Sequence, residues 1–258
     1  MMKKIVDLFL FMGQSNMAGR GIVSDTWKEP VPVILPHAGY EFRAITDAAR
    51  LYDMEEPFGV SENRPDGIND GTMKTGSLVT AFTNAYYTHN GNVPVVGVSA
   101  SKGGSVIKEW QPDGKYLTDT LERLASCEAY LETNDFFVRH KYVLWCQGES
   151  DGDKGTKKED YLFGLNCMWS ELQKNGMERL FLIGIGDCNI EGSTDRYKTI
   201  QKWQKEFAQA NDSVILVSTA FEGMRERGLM KDSFHYFQQG YNECGTDAGI
   251  NTARYVNG

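Results

Sequence analysis

Five short apolar runs, alternating with amphipathic segments, constrain this 258-residue chain most strongly. Bounded by glycine and polar turns, these runs are typical of buried strands and lie at residues 5–12, 93–98, 142–146, 180–185 and 214–217. Between them, apolar residues recur at helical spacing, as at Leu78, Phe82 and Tyr86. Strands that alternate with helices predict an α/β fold, in which a five-stranded parallel sheet is covered on both faces.

Residues 20–76 interrupt this alternation. They show little periodicity and contain several prolines and glycines. So long an irregular segment inside a compact domain is usually functional or poorly ordered. We predict that residues 1–258 form a single domain, in which residues 20–76 are a long irregular excursion beside the active site.

The charge of the chain disfavours two classes of partner. The formal net charge is −8 and the isoelectric point is about 5.1, so a phosphate backbone would be repelled and no nucleic acid is expected. No apolar stretch approaches the ~20 residues that a membrane helix needs, and no basic amphipathic segment is present. We therefore expect no membrane partner, and the sequence does not indicate an oligomeric state.

Cysteine usage and the N-terminus favour a cytoplasmic protein. Five cysteines without a C-x-x-C pair are typical of free thiols in a reducing compartment. The N-terminal apolar run is interrupted by Asp7, and no small-residue cleavage site precedes Gly13. We therefore predict no signal peptide. No His/Cys spacing suits zinc, so no metal is expected.

The turn that follows the first predicted strand carries Ser15. A serine there lies at the carboxyl edge of a parallel sheet, where ligands bind in open α/β folds. Its N–H is one of the free donors of a helix start, and the helix dipole favours negative charge nearby. On position alone, a helix N-cap is the more common role for such a serine.

Other polar residues follow later strands and so reach the same edge. The predicted turns contain Gly103-Gly104, Gln147-Gly148-Glu149 and the pair Asp232 and His235. His235 is the candidate base for Ser15, and Asp232, three residues earlier, is the candidate partner that orients the imidazole. The N–H groups of Ser15 and Gly103 and the side-chain amide of Gln147 are the candidate oxyanion donors.

Two further residues are candidates for substrate binding. Trp110 follows the Gly103-Gly104 turn and is either a platform for a sugar ring or a side chain packed beneath the turn. Arg20 follows the Ser15 turn and either holds an acidic sugar or pairs with a carboxylate of the excursion.

Four sequence blocks together resemble the SGNH hydrolase superfamily and, more narrowly, carbohydrate esterase family 6, which contains acetylxylan esterases and sialic-acid O-acetylesterase-like proteins. The blocks are Gly13-Gln14-Ser15-Asn16-Met17 with Ala18-Gly19-Arg20-Gly21, Gly103-Gly104-Ser105 through Trp110, Gln147-Gly148-Glu149-Ser150-Asp151, and Asp232-Ser233-Phe234-His235. The glycine that would complete a G-x-S-x-G nucleophile elbow is replaced by Met17, which disfavours the α/β-hydrolase fold.

The resemblance implies a flavodoxin-like three-layer α/β/α fold with the five predicted strands in the order 2-1-3-4-5. It implies a serine esterase that removes acetyl groups from carbohydrates without a cofactor, with Ser15, His235 and Asp232 as the catalytic residues. Xylo-oligosaccharide is the first expected substrate and acetylated sialic acid the second. Glu149 is an alternative partner for His235, and Gly104 is an alternative donor to Gly103.

Two rival functions remain open from the sequence. An esterase or thioesterase acting on lipid or acyl-CoA would need an apolar acyl channel, which the polar excursion does not suggest. A carbohydrate-binding protein on an inactive hydrolase scaffold would not need the catalytic residue types, all of which are present.

Overall fold

A computed structural model describes residues 3–193 and 195–258. Its strands are β1 (Lys4–Gly13), β2 (Gly39–Arg43), β3 (Asp47–Asp53), β4 (Val95–Ser101), β5 (Phe136–Cys146), β6 (Arg179–Ile183) and β7 (Val214–Ser218). Its α-helices are α1 (Ser15–Ala18), α2 (Val79–His89), α3 (Lys115–Thr133), α4 (Glu149–Lys154), α5 (Lys158–Lys174), α6 (Lys198–Gln209) and α7 (Gln238–Asn257). Two 3₁₀ turns cover Gly71–Met73 and Ile107–Trp110.

The sheet has seven strands in the order β3-β2-β4-β1-β5-β6-β7. All neighbouring pairs are parallel except β2 and β3, which form an antiparallel pair at one edge. The α/β fold with a mostly parallel sheet is confirmed. The predicted number of five strands is wrong, and the order of the whole seven-stranded sheet therefore differs from 2-1-3-4-5. The five predicted runs supply the contiguous part β4-β1-β5-β6-β7, and two further strands extend it.

Both additional strands come from residues 20–76, so this segment is not irregular throughout. β2 pairs in parallel with β4, and β3 then turns back along β2. β3 is half-buried or exposed along its whole length, so it lacks the apolar pattern by which a strand is recognised. The segment also contributes Met54, Phe58 and Ile68 to the core.

Alternate residues of β1 separate two cores, one on each face of the sheet. On one face, Leu8 and Leu10 share a cluster with Leu124 of α3, Met168 of α5 and Phe207 of α6. The opposite cluster contains Phe9 and Phe11 together with Phe82 and Tyr86 of α2 and Tyr241 of α7. The molecule therefore has three layers, with helices on both faces of the sheet.

The carboxyl ends of three central strands lie at one level. Gly13 is in register with Ser101 of β4 and with Cys146 of β5. The turns that follow these strands therefore begin side by side, as the alternation of strands and helices predicts. None of the helices found in residues 3–193 and 195–258 is long and apolar enough to cross a membrane.

Candidate active site

The turn that carries Ser15 is fixed by close contact with the end of β5. Gly13 has a φ of 140°, and a Cβ there would lie 2.0 Å from the carbonyl oxygen of Cys146. Only glycine fits this position, because any side chain would collide with the neighbouring backbone. The Gln14 N–H donates to the same carbonyl, and α1 begins at Ser15, which is almost fully buried.

His235 reaches Ser15 from a loop that lies 220 residues later in the chain. Its Nε2 is 2.9 Å from the Ser15 Oγ, and its Nδ1 is 2.9 Å from Oδ2 of Asp232. The loop is closed by a bridge between Met230 and Tyr236. The three predicted residues therefore meet within hydrogen-bond distance, in the order hydroxyl, imidazole and carboxylate.

Asp232 is held locally by the backbone of its own loop. Its Oδ1 accepts the N–H groups of Phe234 and His235, each at 2.8 Å. Partial burial acts to raise the pKa of Asp232, but the hydrogen bonds from the His235 ring and these two N–H groups outweigh it and hold the pKa well below its ordinary value. The carboxylate therefore stays ionised and anchors the imidazole.

Glu149, the alternative partner of His235, lies in the same pocket but contacts a different residue. Its Oε1 accepts a hydrogen bond from Nδ2 of Asn16 at 2.5 Å, and no hydrogen bond to His235 is found within the described part of the chain. Burial raises the pKa of Glu149, although Asn16 and the nearby His235 act to lower it. Since both ring nitrogens of His235 already have partners, the geometry favours Asp232 as the orienting carboxylate.

Asn16 is a buried residue of the first block that the sequence analysis did not single out. Besides Glu149, its Nδ2 donates to the carbonyl of Phe234 at 3.1 Å, and its Oδ1 accepts from the Tyr241 hydroxyl at 2.6 Å. It thus joins the serine turn to the third block, the histidine loop and helix α7. The sequence signals for Asn16 were its adjacency to Ser15 and its place in the first block.

Gly103 and Gly104 both line the pocket that contains Ser15 and His235. Within residues 3–193 and 195–258, neither of their N–H groups donates a hydrogen bond. Gly104 has a φ of 72°, a conformation that favours glycine. Neither N–H group therefore has a competing acceptor in the described part of the chain, and the choice between them as oxyanion donor stays a prediction.

Gln147 does not offer a donor to this pocket, which corrects its expected role. Its Nε2 donates to the Ser105 carbonyl at 3.1 Å and to Oδ2 of Asp151, so both amide hydrogens are used. Its backbone carbonyl accepts from Tyr161 and Gln204, and the residue is completely buried. Gln147 therefore braces the Gly-Gly turn from beneath, a contact that its position after a strand could not reveal.

The pocket around Ser15, which we call the serine pocket, has a volume of about 370 Å³ and is also lined by Arg20, Asp70 and Lys102. Arg20 donates to the Asp70 carboxylate at 2.6 Å, as one of its two predicted alternatives requires. Lys102 lies 3.6 Å from the same carboxylate. Asp70 belongs to residues 20–76, so part of this segment does border the site.

Trp110 is not a sugar platform, which corrects that alternative. It is completely buried, packs edge-on against Trp145, and donates from its indole nitrogen to the Ser105 hydroxyl. It supports the Gly-Gly turn from the core side.

No group of three or more His, Cys, Asp or Glu side chains suited to a metal ion is found among the described residues. The site's geometry instead matches nucleophilic catalysis, in which a hydroxyl is activated by a base that a third group orients.

Comparison with known proteins identifies the family. The family model described as "Carbohydrate esterase, sialic acid-specific acetylesterase" matches residues 5–250. A curated relative, a "Probable carbohydrate esterase" of Arabidopsis thaliana, is 30% identical over 153 residues, which cover 56% of this chain. The match covers 54% of that protein, so this chain spans about half the length of its curated relative.

Solved structures share the fold over nearly the whole chain. The crystal structure of the same Arabidopsis thaliana protein has a TM-score of 0.73 at 20% identity and covers 98% of each chain. NanS has a TM-score of 0.61 at 14% identity, covering 99% of this chain and 98% of NanS. Axe2, an acetylxylan esterase from Geobacillus stearothermophilus, has a TM-score of 0.51 at 13% identity and covers 100% of this chain and 97% of its own.

Proposed function

Because the chain belongs to the carbohydrate esterase, sialic acid-specific acetylesterase family, we propose that it is a serine esterase that hydrolyses O-acetyl groups of carbohydrates. Residues 1–258 act in this proposal as a single esterase domain. The observation that carries the assignment of the nucleophile is the 2.9 Å contact between Ser15 Oγ and His235 Nε2. A base at this distance is within reach of the hydroxyl proton.

The reaction proceeds in two stages. His235 takes the Ser15 proton as the hydroxyl oxygen attacks the acetyl carbonyl, and Asp232 stabilises the imidazolium that forms. When the tetrahedral intermediate collapses, His235 gives the proton to the departing sugar oxygen, and an acetyl-Ser15 ester remains. Water, deprotonated by His235, then attacks this ester, and the second intermediate releases acetate and restores the Ser15 hydroxyl.

Backbone N–H groups serve as the oxyanion donors in this scheme. The Ser15 N–H lies in the first turn of α1, so it has no acceptor within the helix. The Gly103 N–H is the second donor, with Gly104 as its alternative. Loss of one such donor typically slows acyl transfer by ~10²–10³-fold.

The charges of the serine pocket favour a neutral sugar, which we propose to be an acetylated xylo-oligosaccharide. The two lining side chains that could bind the carboxylate of a sialic acid, Arg20 and Lys102, already form salt bridges with Asp70. Asp153 adds a further acidic side chain to the pocket lining. An anionic sugar would therefore have to displace the Asp70 carboxylate or accept repulsion from these groups.

The test of the nucleophile is the Ser15→Ala variant with a chromogenic acetyl ester. We expect kcat/KM to fall by about 10⁴-fold or more while the unfolding midpoint stays close to that of the wild type, because the hydroxyl contacts His235 at the pocket surface. Full turnover by the variant would show that Ser15 is not the nucleophile.

The substrate is tested by acetate release from acetylated xylo-oligosaccharides, an O-acetylated sialic acid and an octanoyl ester. We expect the xylo-oligosaccharides to be deacetylated fastest. Faster release from the sialic acid would favour the second candidate, which the family description supports. Preference for octanoyl would indicate a lipid esterase, and sugar binding without hydrolysis would indicate a binding protein.

A further inference from the structure

A second cavity of about 730 Å³, roughly twice the volume of the serine pocket, adjoins the same short helix. Glu149, Ser150 and Asp153 of α4 line the serine pocket, whereas Asp151 and Lys154 line the second cavity. We call this second space the lysine cavity; its wall includes Ile107, Lys108, Lys154, Lys157, Phe163 and Gly164. A ligand held in the lysine cavity would lie next to the elements that form the serine pocket.

Three ammonium groups of the lysine cavity, all on exposed lysines, have no hydrogen-bond or salt-bridge partner among the described residues. Within residues 3–193 and 195–258, the side chains of Lys108, Lys154 and Lys157 make no salt bridge and donate no hydrogen bond. This clustering of unpaired cations contrasts with the formal charge of −8 on the whole chain. The lysine cavity therefore offers positive charge to a ligand.

The two carboxylates of the lysine cavity offset only part of the lysine charge: Lys154 acts to lower the pKa of Asp151, but no salt bridge joins them in the described part of the chain. The oxygens of Asp151 accept hydrogen bonds from the Ile107 N–H, the Gln147 amide and the Thr156 hydroxyl. Asp160 lies on the exposed rim. The cavity therefore contains three lysine ammonium groups and two carboxylates. Asp151 is hydrogen-bonded within the protein, and Asp160 is exposed to solvent.

An exposed aromatic ring lies beside these cations. The Phe163 side chain is 68% exposed although it is large and apolar. Behind it the wall is tightly packed, since a Cβ on Gly164 would come within 2.8 Å of Ile107 Cγ1. A flat apolar face with polar groups around it is the usual composition of a small-molecule site. The apolar face of a sugar ring fits such a surface, and an anionic substituent would meet the lysines.

We propose that the lysine cavity binds a carboxylate-bearing sugar unit of the same saccharide whose acetyl group enters the serine pocket. Phe163 packs against the ring, and Lys108, Lys154 and Lys157 attract the carboxylate. That the ligand is a saccharide rests on the proposed esterase function. The serine pocket takes the neutral, acetylated unit, and the lysine cavity selects chains that also carry an acidic branch.

The experiment compares binding of three unacetylated ligands to the wild-type chain by calorimetry. These are a xylo-oligosaccharide with one glucuronate branch, the same oligosaccharide without the branch, and free glucuronate. We expect the branched ligand to bind roughly fivefold or more tightly than the neutral one, as several partly exposed charge pairs would give. Free glucuronate should bind more weakly than the branched chain, because it lacks the rest of the saccharide.

The variants assign this preference to the cavity. The triple variant Lys108→Gln, Lys154→Gln and Lys157→Gln should bind the branched and neutral ligands equally. Phe163→Ala should weaken binding of the branched ligand. Lys28→Gln is the matched control, because Lys28 is exposed and lines neither the serine pocket nor the lysine cavity. All variants should keep the wild-type unfolding midpoint and the wild-type rate on a small chromogenic acetyl ester.

Equal binding of branched and neutral ligands by the wild type, or a preference that survives in the triple variant, would overturn the proposal. Free glucuronate binding as tightly as the branched chain would also overturn it, since the cavity would then recognise only an anion. The esterase hypothesis and the lysine-cavity hypothesis can be refuted independently. Normal ester hydrolysis without the ligand preference refutes only the lysine cavity, whereas a lysine-dependent preference without ester hydrolysis refutes only the esterase.

Discussion

Two carboxylates close to His235 are held in opposite ways. Asp232 lies in the exposed loop, its side chain is 43% exposed, and it accepts hydrogen bonds from two backbone N–H groups and the imidazole. Glu149 lies at the start of α4, is 3% exposed, and receives a hydrogen bond from Asn16, while its Oε2 has no partner among the described residues. The pKa of Asp232 is lowered and that of Glu149 is raised.

These opposite environments suit the two carboxylates to different tasks. Asp232 is stabilised in its charged form and contacts the ring directly, so it is suited to orient and stabilise an imidazolium. Glu149 loses solvation and gains little in return, so burial favours its neutral form. We infer that the exposed side of the site performs the chemistry, while the buried side fixes the positions of the loops.

The largest expected effect is on the exposed side. Asp232→Asn should lower kcat/KM for a chromogenic acetyl ester by roughly 10³–10⁴-fold, because an amide that donates to Nδ1 leaves the proton on Nε2, facing Ser15. Steady-state kinetics at neutral pH measures this loss. The loss of stability should be small compared with the loss of activity, since Asn can still accept the two backbone N–H groups.

Glu149→Gln is the matched change on the buried side. It should cost at least tenfold less activity than Asp232→Asn, because Glu149 makes no hydrogen bond to the ring in the described part of the chain. If Glu149→Gln proved the more damaging of the two, the roles assigned to the two carboxylates would be reversed.

A smaller effect, on the free energy of unfolding, is expected for Asn16, which donates a hydrogen bond to Glu149. Asn16→Ala removes hydrogen bonds to Glu149, Phe234 and Tyr241 inside the protein. It should lower the free energy of unfolding by about 2–4 kcal/mol, since buried polar groups lose their partners. Urea unfolding measures the change.

Tyr241→Phe is the milder control for this network. It removes only the bond to Oδ1 of Asn16 and should cost ~1–2 kcal/mol. Equal free energies of unfolding for the wild type, Asn16→Ala and Tyr241→Phe would show that Asn16 does not hold these loops together.

The smallest effect is a difference in pH dependence between the two carboxylates. A raised pKa means that the contribution of Glu149 to stability is present below its unfolded pKa, ordinarily 4.5, and is lost as the pH rises through the folded pKa. The unfolding midpoint of Glu149→Gln should therefore rise relative to that of the wild type as the pH increases above about 4.5. Thermal unfolding across pH 3–8 measures this gain.

Asp232 should behave with the opposite sign. Its lowered pKa gives a contribution that is present above the unfolded pKa, ordinarily 3.8, and is lost as the pH falls through the folded pKa. Asp232→Asn should therefore approach wild-type stability only in acid. Parallel pH profiles for both variants would contradict the division between the two sides.

The sequence predicted which residues meet at the site better than it predicted the contacts that hold them in place. Ser15, Gly103 and the Asp232–His235 loop meet because each follows a strand of one parallel sheet, and apolar periodicity reveals such strands. β3 escaped detection because it is largely solvent-facing. The register of a strand end does not give the direction of a side chain, so the inward turn of Gln147 and the burial of Trp110 were not predictable.

Contacts between distant segments could not be predicted from the sequence for the same reason. Arg20 pairs with Asp70, fifty positions away, and only tertiary structure selects this carboxylate from the many in residues 20–76. Asn16 reaches Tyr241 across most of the chain. Periodicity reports which face of an element is buried, whereas these pairings depend on how the elements pack.

Labelling with a fluorophosphonate, followed by mass-spectrometric mapping of the modified peptide, tests whether Ser15 is a nucleophile activated by His235. We predict one label, on Ser15 of the wild type, and a much slower reaction in His235→Ala. A label on another residue, or an equal labelling rate in His235→Ala, would contradict the account.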